Sequence, residues 1–212
     1  MTITDVCPQK NSDSRVSVFL DGEYAFSLDE VDALVMGIKK GRELDENLLE
    51  KCRFLSASAK AKEKALAFVA RKPATRKMVR DMLLSKGFDA DAADCACDEL
   101  EEFGYIDDSN YALLFLEYAE QKMWGERKVR YELAQKGVSK EIIEDAIAQM
   151  PQTDTNTLAE AMAEKYRGSD FADIRTKQRV QRYFVSRGFD WSAVNSALAI
   201  CIQQQRNDNL ND

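Results

Sequence analysis

A chain of 212 residues, 45% hydrophobic and 32% charged with only 9 Gly and 3 Pro, has the make-up of a globular helical protein, not of a turn-rich sandwich or barrel. It contains no histidine, which removes Ser-His-Asp and Cys-His catalysis, His-ligated metals and imidazole switches together. A formal charge of -7 is a poor overall footprint for a nucleic-acid binder, so the totals point to an acidic, helical, non-catalytic protein.

Met1 to Lys10 is polar and unremarkable and does not resemble a signal peptide. Apolar runs fall far short of the roughly 20 residues that span a bilayer. Cys7, Cys52, Cys95, Cys97 and Cys201 form no disulfide framework, so a reduced, cytoplasmic chain is expected. Cys95 and Cys97 lack a second pair or a histidine to complete a metal site, and buried thiols are the expected reading.

The first element is a hairpin. Arg15 to Leu20 and Glu23 to Leu28 are β-rich runs joined by Asp21-Gly22, a dipeptide suited to a type I′ turn. Val16, Val18 and Leu20 should share one face, as should Tyr24, Phe26 and Leu28. A short helix is expected over Asp29 to Met36 and a second from about Asp45 to Leu55, with Leu44, Leu48, Cys52 and Leu55 at helical spacing.

From residue 57 the pattern is helical and repetitive. Leu83-Leu84-Ser85-Lys86-Gly87-Phe88-Asp89, Leu133-Ala134-Gln135-Lys136-Gly137-Val138-Ser139 and Phe184-Val185-Ser186-Arg187-Gly188-Phe189-Asp190 are one motif, with glycines 50 and 51 residues apart. Glycine suits the left-handed turn that ends a helix, and the apolar residue after it can fold back on the one five positions earlier. The preceding cation complements the helix dipole, and Asp89, Ser139 and Asp190 suit the N-cap of the next helix. Buried faces then recur as Ala93, Cys97, Leu100; Ile143, Ile147, Met150; and Val194, Leu198, Cys201. Apolar helices over Ala65 to Ala70, Tyr111 to Ala119 and Leu158 to Tyr166 precede each basic helix. The expected organisation is an N-terminal hairpin and helical segment (1–56), three-helix repeats over 57–106, 107–152 and 153–204, and a polar tail (205–212) that frays. Pro151 to Thr155 is the expected flexible joint.

Charge is segregated. Arg71 to Lys86 holds six cations against Asp81 alone, Lys122 to Lys136 five against Glu126 and Glu132, and Arg175 to Arg187 five against none. Asp89 to Glu102, by contrast, holds seven acids. A basic stripe repeating with the fold can track a polyanion or an acidic groove, although solvated helix faces are the plainer reading.

Gly104-Tyr105-Ile106-Asp107-Asp108-Ser109-Asn110-Tyr111-Ala112, then Arg127-Lys128-Val129-Arg130-Tyr131-Glu132-Leu133-Ala134-Gln135-Lys136-Gly137-Val138, with Val18 to Leu28 upstream, closely resemble the RecX family of regulators of the RecA recombinase. The resemblance runs from about Val16 to Cys201, and the third repeat matches least well. Met123-Trp124-Gly125-Glu126 stands where the family commonly has a Lys-Gly-Pro-like step. The resemblance implies a mainly α fold, with tandem three-helix repeats in an elongated, curved array. It further implies a protein lying in the groove of a RecA filament on single-stranded DNA. There it would limit filament extension, strand exchange and co-protease activity toward the SOS repressor.

On this reading the basic helices of repeats two and three carry the partner contact, through Arg127, Lys128, Arg130, Lys136, Arg175, Lys177, Arg179 and Arg182, with Trp124 either the interfacial aromatic or buried against repeat one. A monomer is expected, with possible weak direct DNA contact. Asp107 and Asp108 suit the head of a helix, and Tyr105 and Tyr111 are expected in the core. The chain has no P-loop, Gly-rich dinucleotide motif or nucleophile elbow, so no cofactor and no ATP chemistry are expected. One alternative is a helical module acting directly on DNA. Another is a metal enzyme built on Asp94, Asp98, Glu101 and Glu102, for which only helical spacing argues.

Overall fold

In the computed structural model, which describes residues 1–9 and 14–211, Asp21 (φ 49°) and Gly22 (φ 92°) both take the left-handed conformations that a type I′ turn requires. They join β2 (Arg15–Leu20) to β3 (Glu23–Asp29) in antiparallel register, with Val18 opposite Phe26 and Val16 opposite Leu28. A bulge between Val18 and Phe19 shifts the register by one residue, so Tyr24 leaves the face of Phe26 and meets Phe19 edge-on at 6.0 Å. Tyr24 is therefore half-exposed, while Val18, Leu20, Phe26 and Leu28 are buried.

The segment expected to be featureless supplies a third strand. β1 (Ile3–Pro8) pairs antiparallel with β2, giving the order β1-β2-β3. Its sequence hides it, because Asp5 interrupts the apolar alternation and Pro8 is tolerated only at an edge. Backbone bonds from Ile3 N to Arg42 O (2.9 Å) and from Gly41 N to Ile3 O (2.8 Å) pin its start. After α1 (Glu30–Val35), whose N-cap Asp29 accepts from Val31 N, the chain enters α2 (Glu46–Val69).

α2 does not stop near Leu55. It runs for 24 residues, straight through the boundary expected at 56/57, because Ser56-Ala57-Ser58-Ala59 holds no helix breaker. Ser56 and Ser58 are buried small residues, and Ser56 Oγ accepts from Ser27 N of β3 at 3.2 Å. One helix thus serves two cores. Leu49 and Cys52 lie under the sheet with Ile3, Phe26 and Leu28. Ala61 and Ala65 join Val79, Leu83, Cys97 and Leu100 of α3 (Arg76–Ser85) and α4 (Ala90–Glu102).

Met1–Asp107 forms one compact unit and Asp108–Asp212 a second. In the second unit, α5 (Asp108–Gln121), α6 (Glu126–Gln135) and α7 (Lys140–Ile147) enclose Phe115, Val129, Leu133 and Ile143. α8 (Thr155–Lys165), α9 (Ile174–Ser186) and α10 (Trp191–Asn211) enclose Leu158, Met162, Val180, Phe184 and Val194.

The repeated motif ends each second helix in the same way. Gly87, Gly137 and Gly188 sit at φ 86°, 84° and 91°. Phe88 N, Val138 N and Phe189 N each donate to the carbonyl five residues back, at 3.3, 3.1 and 3.2 Å. The glycine amides donate three residues back, which completes the Schellman pattern. Asp89 and Ser139 then accept from Ala92 N and Ile142 N, and Asp190 accepts from Ser192 N.

The tail expected to fray is helical through Asn211, and Asp212 lies outside the described residues. Gln205 fixes the first residue of that segment: its amide accepts from Phe171 N at 2.9 Å and donates to Ser169 O at 2.7 Å, clamping α10 to the α8–α9 loop. Tyr105, expected in the core, is exposed, and its neighbour Ile106 is buried instead. Cys97 is buried in the core of α3 and α4, which pushes its thiol up to about 11.

Candidate partner interface

A cross-helix pair recurs seven residues before and seven after each motif glycine. In α3 and α4 it is ionic and two-pronged: Arg80 Nε and Nη2 donate to the two carboxylate oxygens of Asp94, at 2.6 and 3.1 Å. That bond holds the Asp94 carboxyl below its usual range. In α6 and α7 the same positions are Arg130 and Glu144, again bonded. In α9 and α10 they are Gln181 and Asn195, joined by a neutral bond of 2.7 Å.

Three further acids of α4 are also engaged by cations. Arg76 donates to Asp98 at 2.7 Å and to Glu101 at 2.5 Å, and Lys62 pairs with Glu99. Of the four carboxylates weighed above as metal ligands, Asp94, Asp98 and Glu101 are thus occupied by guanidinium groups. No cluster of three potential ligands occurs among the described residues.

Of the expected interface residues, those on α6 are largely engaged within the chain. Arg127 donates to Asp190 at 2.5 Å, and Lys128 pairs with Glu132 at 2.7 Å. Arg130 also lies 3.6 Å from Glu126. Lys136 Nζ stands 5.9 Å from the Phe115 ring centroid. Trp124 is half-buried, packed against Phe115 and Tyr118 at 5.9 and 5.5 Å, with Lys128 Nζ 5.4 Å above its ring. Tyr131 is exposed, and its ring lies 5.6 Å from the same lysine Nζ. α6 therefore presents an aromatic and cationic ridge whose charges are mostly partnered.

α6 and α9 are locked together through glycine. Gly125 replaces the usual capping side chain at the start of α6, and its amide donates to Arg187 O at 2.8 Å. A Cβ at Gly125 would stand 2.6 Å from Gly188 O, and one at Gly188 would overlap the backbone of Lys128. Arg187 closes the contact by donating to Lys122 O at 2.6 Å. The contact accounts for the Met123-Trp124-Gly125-Glu126 step, because only glycine permits backbones to meet this closely.

On α9, Arg175, Arg179 and Arg182 are exposed and Lys177 half-buried. None of the four lies within ion-pair distance of a carboxylate among the described residues. Sequence reasoning missed their aromatic support. Tyr166 and Tyr183 meet edge-on at 6.3 Å, with Arg179 5.3 Å from Tyr166 and Lys165 4.3 Å from Tyr183. Tyrosines placed beside cations in Lys165-Tyr166 and Arg182-Tyr183 were the available signal.

These features define a class: tandem three-helix groups that repeat a cross-helix pair at matching positions and expose cationic side chains on their second helices. Comparison with known proteins identifies it. The Regulatory protein RecX N-terminal domain matches residues 1–45, the first RecX three-helix domain 61–100 and the second 107–147. A regulatory protein RecX of Caldanaerobacter subterraneus subsp. tengcongensis is 32% identical over 93% of this chain and 98% of its own. One from Clostridium botulinum strain Alaska E43 is 32% identical over 92% of this chain and 94% of its own. A crystal structure of a regulatory protein RecX superimposes with a TM-score of 0.69 at 26% identity, covering 92% of this chain and 97% of that one. RecX from Lactobacillus salivarius shares the fold, with a TM-score of 0.55 at 22% identity over 68% of this chain and 96% of that one. The chain belongs to the RecX family of regulatory proteins. No helix among the described residues is long and apolar enough to cross a membrane.

Proposed function

We propose that this protein regulates the RecA recombinase in the cytoplasm by lying in the groove of the RecA filament on single-stranded DNA. There it limits filament extension, strand exchange and co-protease action. The observation that carries this reading is membership of a family of regulatory proteins along nearly the whole chain. The surface of α6 fits a protein partner, because Trp124 and Tyr131, of the residue types that dominate interface energetics, form a row with Lys128, whose Nζ lies 5.4 and 5.6 Å from their rings. Arg127 and Arg130 position this row by tying α6 to α10 and α7.

The test is inhibition of the single-stranded-DNA-dependent ATP hydrolysis of RecA. A Lys128→Glu, Tyr131→Ala variant should inhibit at least tenfold more weakly, with circular dichroism reporting an intact fold. Equal inhibition by wild type and folded variant would remove α6 from the interface. No inhibition by wild type would overturn the reading itself.

A further inference from the structure

The arginine row of α9 differs from the basic faces of α3 and α6, whose arginines are paired with acids. Arg175, Arg179 and Arg182 follow i, i+4, i+7 spacing, which places them within an arc of about 60° and along about 10 Å of helix axis. α9 itself carries no acid; the nearest in sequence, Asp173, is its N-cap and is committed to Thr176 N at 2.8 Å. At the position where the other groups use an arginine to bind an acid, this one has the neutral Gln181–Asn195 pair. The cations near the row are held by rings instead: Arg179 by Tyr166, and Arg187 and Lys165 by Tyr183. A ring attracts a cation without neutralising it and leaves the guanidinium N–H groups free to donate.

We propose that this row is a binding site for the phosphate backbone of single-stranded nucleic acid, and that it acts without any protein partner. The proposal does not rest on the filament reading. Guanidinium forks match phosphate oxygens two at a time, and three of them in line can follow one strand. The half-exposed rings of Tyr166 and Tyr183 beside the row carry Arg179, Lys165 and Arg187 on their faces, so the site addresses the backbone of the strand and not its bases. An acidic protein is the poorer fit. The arc holds only Ser186 besides the arginines, whereas a protein interface needs a desolvated apolar centre. A duplex is also the poorer fit, because one short row faces only one of its strands.

The experiment uses the full chain with no RecA present, and fluorescence anisotropy of a labelled 30-nucleotide single strand and of the matching duplex across a salt series. Wild type should bind the single strand more tightly than the duplex, with a log–log salt slope of about -2 for three phosphate contacts. Arg175→Gln, Arg179→Gln and Arg182→Gln together should weaken binding at least tenfold at low salt and bring the slope close to zero. The corresponding triple lysine variant, which keeps the charge, should retain most of the slope. An unchanged slope in a glutamine variant with wild-type circular dichroism would overturn the proposal. So would preference for the duplex, or binding of polyglutamate and not of DNA. Because RecA is absent, the outcome leaves the filament reading untouched.

Discussion

α3 with α4 and α9 with α10 are built on one plan, yet they use charge in opposite ways. Both pairs turn through a left-handed glycine, fold an aromatic residue back over the stop and cap the second helix with aspartate. In the first pair, four cations, one of them from α2, and five acids exchange bonds across and along the helices. In the third, the cross-helix bond is between neutral amides, and the arginines of α9 are left to solvent. Arg71 to Lys86 and Arg175 to Arg187 thus carry the same net charge in the sequence yet present different surfaces. A run of charge becomes a candidate contact only after the charges consumed by the fold are removed.

The same comparison separates the two glycines. Gly87 and Gly188 share the left-handed backbone and the same hydrogen bonds, but a Cβ at Gly87 meets nothing within 4 Å, whereas one at Gly188 runs into Lys128. Gly87→Ala should cost about 1–2 kcal/mol, the strain of a left-handed alanine. Gly188→Ala should cost that and a further 1–3 kcal/mol or so of overpacking. Urea denaturation followed by far-UV circular dichroism measures both. The only tryptophans, Trp124 and Trp191, make fluorescence a reporter of the second unit alone. Equal losses in the two variants would break the assigned contact between α6 and the α9–α10 turn.

Gly125 gives a smaller effect with a sign that distinguishes two arguments. Judged from the sequence, serine is the better N-cap for α6 and should stabilise by a few tenths of a kcal/mol or so. Judged from the structure, its Cβ would stand 2.6 Å from Gly188 O, so Gly125→Ser should destabilise by about 1–3 kcal/mol. The same urea titration decides, and a stabilised variant would show that the two turns separate easily.

What the sequence made legible followed from local rules. The stops, the caps and the buried stripes recur at fixed spacing from each glycine, so three-helix organisation could be read from Gly87, Gly137 and Gly188. β1 could not, since its strand character comes from pairing with β2 and not from alternation. Nor could the unbroken α2, because Ser56 and Ser58 look like linker residues until the sheet is known to lie against them. At the candidate interface, Arg175, Arg179 and Arg182 were visible as charge, and the engagement of Arg127 by Asp190 was not, since 63 residues separate them. The pair at seven residues on either side of each glycine was legible in principle: Arg80 and Asp94, Arg130 and Glu144, Gln181 and Asn195 stand at matching positions.

That pair supplies the smallest and most specific prediction. Arg80 holds the Asp94 carboxyl below its usual range by donating to it. A carboxyl whose folded-state value is depressed contributes stability that is complete above the unfolded-state value of about 3.9. The contribution fades as pH falls through the lower folded-state value, where the folded protein also takes up the proton. Asp94→Asn mimics the protonated group and turns the first pair toward the amide chemistry of the third. The variant should therefore be less stable than wild type at neutral pH, by less than either glycine change at the α6–α9 contact. The gap should narrow steadily as the titration is moved below pH 4 or so, because protonation removes from wild type what the mutation has already removed. Asn195→Ala, which removes a neutral amide, should by contrast give a difference from wild type that does not depend on pH. A gap for Asp94→Asn that stays constant from neutral to acid would show that the Arg80 bond is geometric and not ionic. The contrast between the first and third groups would then reduce to the free arginines alone.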